Sequence, residues 1–446
     1  MSSLKKLFIR GAIWSIVGYG TSQFLRLVSN LILTRLLLPE FFGLMALVNT
    51  LRIGLELFSD IGIGQNVIQS KRGNEISFLN TAWTIQVIRG LFLWLICLII
   101  TWPITKFYGE ERLLLLFPIV GLTTILDGFK STKLHTLNRQ MAIGRKIAFD
   151  IATQVISLVT MIVWAWFSPT IWSLVIGAMV GVLFSTVASH FLITGYSNKF
   201  TWEKEAVAEL VSFGKWIFVS TALMFLADQI DRLLLGKLLS LEMLGVYTVA
   251  ITIANIPREL IKALSYQVIF PTFSRQTDLS PGSLQAKIKR QRWPILLGFA
   301  VLLALLISFG DLIIDQLYDE RYRQATWMMP ILGLGVWFSV LFYTTSVIIL
   351  AIGKPWYLSQ SNLARLLTVG IGLPLGFYLV GVFGAIAAVA LSDLPSFLVL
   401  QHGLRREKLA CIAQDFLATI FFLGILAIVL VIRSYLGLGF PLDAIL

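Results

Sequence analysis

Charge is scarce in this sequence. Asp, Glu, Lys and Arg make up 13% of its 446 residues, against about a quarter in soluble domains. Hydrophobic residues make up 57% and the mean hydropathy is +0.83, which excludes an ordinary soluble domain and implies an integral membrane protein. Cysteine is nearly missing: Cys97 and Cys411 each lie in or beside an apolar run, so a disulfide framework is excluded. The three histidines, His135, His190 and His402, fall at no metal-ligand spacing, and no Gly-rich nucleotide loop occurs. Neither a metal, a cofactor nor direct coupling to ATP is expected. Acidic residues are outnumbered 24 to 36, for a net charge of +12. In a soluble protein that excess would suggest nucleic acid. Here it reflects Lys and Arg retained in cytoplasmic connections, and no nucleic-acid partner is expected. No connection is long enough for a soluble domain, so the chemistry is expected within the membrane, and the chain is not expected to be an enzyme.

Apolar windows of about 20 residues fall near 11–38, 41–68, 78–100, 113–134, 147–167 and 171–194, then near 213–238, 244–271, 293–314, 326–350, 356–380, 382–401 and 412–435. The basic start through Arg10 resembles a signal peptide. The run behind it continues to Leu38 without a small-residue cleavage site, so it reads as an uncleaved first helix. With the N-terminus cytoplasmic, thirteen spans put twenty-two basic residues inside, Arg292 among them, and seven outside, including Arg433. That asymmetry supports the orientation and puts the C-terminus outside. An all-α, multi-pass membrane protein is expected.

The turn from Arg35 to Gly43 (RLLLPEFFG) returns 202 residues later from Lys237 to Gly245 (KLLSLEMLG). Glu40 and Glu242 are expected to cap the following helix, and the glycines to allow close packing. Six spans separate the copies, which implies parallel six-helix repeats with substrate sites between halves near the midplane. The expected organisation is a lobe at 1–195, an interfacial linker at 196–212, a lobe at 213–403 and a further helix within 404–446. In the linker, Thr201 is placed to cap a short helix whose Trp202, Val207, Leu210 and Val211 suit a membrane surface.

Arg26, Arg52 and Arg258 lie deep inside apolar spans. A charge at the bilayer centre costs roughly 3 kcal/mol or more, so such residues face a protein interior or a wet cavity. Three like charges at similar depth suggest a cavity that receives an anion, because bidentate guanidinium geometry suits phosphate oxygens. Arg52, Glu56 and Asp60 share one helical stripe, and Asn30 lies on the stripe of Arg26. The 202-residue offset matches Glu56 with Arg258 and Asp60 with Lys262. Pro257 is expected to kink its helix beside Arg258. Asp228, Asp231, Arg232, Arg365, Arg89, Asp127 and Asp393 complete the intramembrane charges. The competing reading is internal ion pairing, such as Arg52 with Glu56 or Asp228 with Arg232. Elsewhere, Lys287 to Arg292 reads as positive-inside retention with lipid headgroup contact secondary. Asp311, Asp315 and Asp319 read as a solvated external face rather than a calcium site.

The string from Asp231 to Leu239 (DRLLLGKLL), continuing through Gly245-Val246-Tyr247 to Ala250, resembles the polysaccharide exporter branch of the MATE-like flippase superfamily. Asp60-Ile61-Gly62-Ile63-Gly64 and Gly353-Lys354 support it. The resemblance covers nearly the whole chain. It implies two lobes that rock to move an undecaprenyl-diphosphate-linked oligosaccharide across the inner membrane for surface polysaccharide synthesis. It also implies diphosphate contacts at Arg26, Arg52 and Arg258, with Asn30, Glu56, Asp60, Asp228, Asp231, Lys262 and Arg365 as cavity or coupling residues. The implied partners are the lipid-linked anionic glycan, membrane lipids and other polysaccharide-assembly proteins, around a monomer. A multidrug or metabolite antiporter on the same fold, and a membrane glycosyltransferase or polymerase, are the alternatives.

The orientation is testable by thiol labelling. Cysteines introduced at Ser168 and Leu241 should react with an impermeant reagent on intact cells, and one at Ser283 should not. Labelling of the Ser283 site alone would reverse the topology.

Overall fold

The computed structural model describes residues 2–59, 62–70, 72–139, 142–192, 197–274 and 280–443, and these contain helices and connections but no strand. In chain order the helices are α1 (Ser2–Leu36), α2 (Pro39–Leu57), α3 (Ile63–Gln69), α4 (Ile76–Tyr108), α5 (Leu113–Gly128) and α6 (Lys133–Arg139). Next come α7 (Ile143–Phe167), α8 (Ile171–Phe191), α9 (Lys204–Leu238), α10 (Leu241–Ala254) and α11 (Ile256–Leu264). After a π-helical turn, Ser265–Ile269, follow α12 (Phe270–Ser274), α13 (Pro281–Leu317), α14 (Ala325–Ala351), α15 (Trp356–Leu391), α16 (Asp393–Arg406) and α17 (Ile412–Tyr435). The chain forms two compact units, Met1–Phe225 and Leu226–Leu446.

Among the described residues, 7 helical stretches are long and apolar enough to cross a membrane. Four of the six differences from the expected thirteen have a visible backbone cause. The expected span 41–68 is interrupted between α2 and α3, where Gly62 is left-handed at φ 62°. The span 113–134 stops at Gly128. The span 244–271 breaks at Asn255, as Pro257 leads one to expect, because its ring clashes with the carbonyl four residues earlier. The stretch Trp356–Arg406, at 51 residues, counts once although it exceeds what one crossing needs. It folds back on itself: Val380 and Gly381 leave the helical region, with Gly381 at φ 67°. This is the boundary expected between the spans 356–380 and 382–401. Beside the bend, Gly376 and Gly384 face each other so closely that a Cβ on either would collide with the other's carbonyl oxygen.

Two buried ion pairs bind α17 to α13. Near their N-terminal ends, Arg292 pairs with Asp415, and Gln401 donates to that carboxylate at 2.7 Å. Near their C-terminal ends, Arg433 forks onto Asp311, with Nη1 to Oδ1 at 2.6 Å, and also donates to the carbonyls of Leu438 and Gly439. α13 and α17 therefore run parallel, which requires an odd number of crossings between them: α14 and the two arms that meet at Gly381. Nineteen residues separate the anchors on α13 and eighteen on α17, about 27–29 Å of helix, close to the roughly 30 Å hydrocarbon core. One expectation is corrected here: Asp311 is 7% exposed rather than solvated. Arg292 and Arg433, expected as charges of the connections, are 3% and 1% exposed. Each charge has a partner more than a hundred residues away, beyond the reach of local sequence pattern.

The repeated turn has the same geometry in both copies. The first helix ends at Leu36 and Leu238, and the second begins at Pro39 and Leu241, each pair 202 residues apart. Gly43 and Gly245 are both buried. The expected glutamate cap is not formed. In the second copy Ser240 accepts from the Met243 N–H at 3.2 Å, while in the first Glu40 pairs with Arg112. An acidic residue in the first turn still favours the helix dipole. The linker also differs from expectation. Residues 197–203 run extended along α4, whose Asn80, Thr84 and Thr81 accept from the N–H groups of Lys199, Thr201 and Glu203 at 3.0, 3.0 and 3.2 Å. Thr201 caps nothing: its hydroxyl donates to the Lys199 carbonyl, and α9 continues as one helix from Lys204. Glu203 also pairs with Arg72, whose hydrogen bond holds the carboxyl below its usual range.

The hairpin at Gly381 makes a specific demand. Gly384→Val should destabilise the purified protein by about 1–3 kcal/mol through overpacking. Gly298→Ala, where an added Cβ meets nothing within 4 Å, should be neutral or slightly stabilising. Equal thermal stability of the two variants would rule out the close backbone approach.

Candidate functional site

In the first unit the charges collect where α2 meets α4 and α5. Arg52 and Glu56, one turn apart on α2, form an ion pair, so the pairing alternative is realised here. Arg89 on α4 donates to Ser59 Oγ at 3.0 Å and to the Glu56 carbonyl, closing the C-terminal end of α2. Asp127 pairs with Lys130. Gln86 donates to the carbonyls of Asp127, Gly128 and Lys130 at 3.0–3.1 Å, satisfying the open end of α5. These groups border a cavity of about 460 Å³ lined by Glu56, Gln86, Arg89, Asp127, Lys130 and His135. Arg26 and Asn30 on α1 do not line it. Arg26 is exposed and forms no ion pair among the described residues, and Asn30 is half-buried. Asp60 lies outside the described residues.

In the second unit a tighter network joins α9, α11, α14, α15 and α16. Arg258 pairs with Asp393 and donates from Nε to Ser339 Oγ at 2.9 Å. Ser339 donates to the same Asp393 oxygen at 2.6 Å. Arg365 bridges Asp228 Oδ1 at 2.6 Å and Asp393 Oδ1 at 3.2 Å. Asp228 thus pairs with Arg365 and not with Arg232, which donates instead to Gln229. Tyr247 donates to the buried Asp231. The adjoining cavity, about 220 Å³, is bordered by Asp228, Asp231, Arg232, Arg258, Lys262 and Arg365.

Six expected site residues, Arg258, Asp228, Asp231, Lys262, Arg365 and Glu56, therefore border cavities, the first five together. Arg258 and Arg52 are not open guanidiniums but members of ion pairs. Asp393 and Ser339 are the principal members that sequence reasoning did not assign to the site. Asp393 was legible as an isolated acid in an apolar run. Ser339, one of many serines in apolar helices, gave no signal.

A helical chain with interior charge clusters is common to many transporters, so sequence comparison decides the family. The model for "Polysaccharide biosynthesis protein" matches residues 32–326. The chain belongs to that family. Among relatives of this chain is the teichuronic acid biosynthesis protein TuaB of Bacillus subtilis (strain 168). It is 22% identical over 359 residues, covering 79% of this chain and 73% of TuaB. Among solved structures, the lipid II flippase MurJ in an inward closed conformation superposes with a TM-score of 0.70 at 15% identity, covering 95% of this chain and 98% of that one. An inward-facing multidrug resistance MATE family transporter gives 0.67 at 12% identity, over 88% and 98%. These likenesses establish the fold of a multi-span membrane protein of the MurJ and MATE type.

The two clusters differ in burial, and stability should reflect it. Arg365→Leu leaves Asp228 and Asp393 without their shared partner and should cost about 3–5 kcal/mol. Arg52→Leu breaks a partly solvated pair and should cost at most about 1 kcal/mol. Thermal unfolding of the purified variants measures both, and equal losses would contradict the assignment of Arg365 as the buried bridge.

Proposed function

We propose that the chain is a transporter, not an enzyme, that flips an undecaprenyl-diphosphate-linked oligosaccharide from the cytoplasmic to the external leaflet of the plasma (inner) membrane. It acts as a monomer with its N-terminus cytoplasmic. The observation that carries this reading is the family match over residues 32–326, in a chain whose charges gather inside apolar helices. TuaB is named for teichuronic acid biosynthesis and MurJ as a lipid II flippase. A substrate of this class joins an isoprenoid tail to an anionic headgroup. Export of each negative charge from a negative cytoplasm is downhill by roughly 2.3 kcal/mol per 100 mV.

In this reading Arg26, Arg52 and Arg258 contact the diphosphate. Asn30, Glu56, Asp60, Asp228, Asp231, Lys262 and Arg365 shape the path or its coupling, and two six-helix lobes alternate access. Arg26 is exposed, whereas Arg52 and Arg258 must exchange an existing carboxylate partner for the substrate.

The test is glycan export in a strain lacking the protein, with its abundance measured in parallel. Each Arg→Gln variant at positions 26, 52 and 258 loses a charge-assisted contact worth about 1.5–3 kcal/mol, which is about tenfold to hundredfold in affinity. Export should fall accordingly, and Lys replacements should be intermediate because they lack the fork. Full export by all three Gln variants would remove the diphosphate reading. A change in the mass of purified lipid-linked glycan incubated with the protein would make it an enzyme.

A further inference from the structure

The oxygen that holds Arg258 has the charge a substrate phosphate would bring. Asp393 Oδ2 takes the Arg258 Nη2 pair and accepts from Ser339 Oγ at 2.6 Å, while Ser339 Oγ accepts from Arg258 Nε at 2.9 Å. The guanidinium edge that would fork onto a phosphate is thereby occupied by a carboxylate and a hydroxyl. The second carboxylate oxygen, Oδ1, lies 3.2 Å from Arg365 Nε. Arg365 in turn holds Asp228 at 2.6 Å. Asp393 is therefore shared between two guanidiniums and can leave one without becoming an unpaired buried charge. Both guanidiniums border the 220 Å³ cavity, as do Arg232 and Lys262, so an anion entering it reaches Arg258 while Asp393 still has Arg365.

Resting on the diphosphate reading of Arg258, we propose that Asp393 is a built-in competitor for the substrate: the diphosphate takes Arg258 from Asp393, and Asp393 shifts its charge wholly to Arg365. In the empty protein the competitor spares Arg258 the cost of an uncompensated buried charge. On binding, affinity is the difference between two pairings rather than the full strength of one. That difference favours a ligand with more charge than the carboxylate it displaces, as a diphosphate ester has and a single carboxylate does not. On release, Asp393 recaptures Arg258 and helps expel the headgroup.

The experiment is calorimetric titration of the purified full-length protein with inorganic pyrophosphate, repeated with farnesyl diphosphate. Asp393→Asn should bind about tenfold tighter than wild type, the equivalent of about 1.4 kcal/mol. Ser339→Ala loosens the clamp without changing charge and should bind roughly threefold tighter. Asp231→Asn adds the same charge beside the same cavity but releases Tyr247 instead of an arginine, and should gain clearly less than Asp393→Asn. A gain with both probes assigns the competition to the diphosphate group itself. A gain with farnesyl diphosphate alone supports it too and assigns the site to the lipid-borne form. The proposal is overturned if Asp393→Asn and Ser339→Ala bind no tighter than wild type. It is equally overturned if Asp231→Asn gains as much as Asp393→Asn, since net charge then accounts for the effect. Should Asp393→Asn not fold, judged by thermal unfolding, Ser339→Ala decides alone. Loss of binding in Arg258→Gln with no gain in either loosened variant rejects the competitor and keeps the diphosphate site. Undiminished binding in Arg258→Gln rejects the site itself.

Discussion

The cost of holding a charge away from water governs this protein more than any other term. Its helices are apolar enough to lie in lipid, yet they carry arginines and carboxylates that neither lipid nor a dry core tolerates singly. In the second unit, Arg292 with Asp415, Arg433 with Asp311, and Arg258 and Arg365 with Asp393 and Asp228 answer that cost by pairing across helices. Such pairs need not add net stability over well-packed apolar residues, but removing one partner is expensive. They therefore fix which helices are neighbours and which directions they run. α17 is an integral member of the second unit for this reason, held to α13 at both ends.

Breaks in the helices serve the same sites. A helix end exposes carbonyls or N–H groups that need partners. The end of α2 is met by Arg89, and the end of α5 by Gln86. Around Asn255, the interruption that Pro257 imposes starts α11 with Arg258 in its first turn. In both units the helix after the repeated turn is interrupted, and the charged cluster lies at the interruption. In each unit, polar backbone and ionisable side chains thus share a small interior volume, which is how irregular backbone is tolerated at membrane depth.

A transporter built on such clusters must solve opposite problems in its empty and loaded states. Empty, the guanidiniums proposed to bind the anion need counter-charges. Loaded, those counter-charges compete with the substrate. A carboxylate shared between two guanidiniums meets both needs, because it changes partners without losing one. The proposed role of Asp393 follows from that sharing, and only Asp393 among the described carboxylates pairs with two arginines on different helices of the second cluster.

Composition and periodicity alone determined that the chain is helical and membrane-embedded. They also determined where the repeated turns lie, that Pro257 interrupts its helix and that a helix boundary falls near 380. All of these can be read from the order of residues without any packing: apolar run length, a prolyl ring, a 202-residue self-similarity. The same reading marked the charges that matter, since any ionisable residue in an apolar run stands out. It could not assign their partners. Arg292 and Arg433 look like loop charges because each sits at the edge of its run, and Asp415 and Asp311, their partners, lie 123 and 122 residues away in sequence. Sequence pattern offers Arg232, on the same helix, as one alternative partner for Asp228, whereas packing brings it Arg365. Pairing energy depends on distance through a low-dielectric interior, and those distances exist only once the helices have packed. Tertiary structure therefore decided which charges are structural clamps and which border a cavity.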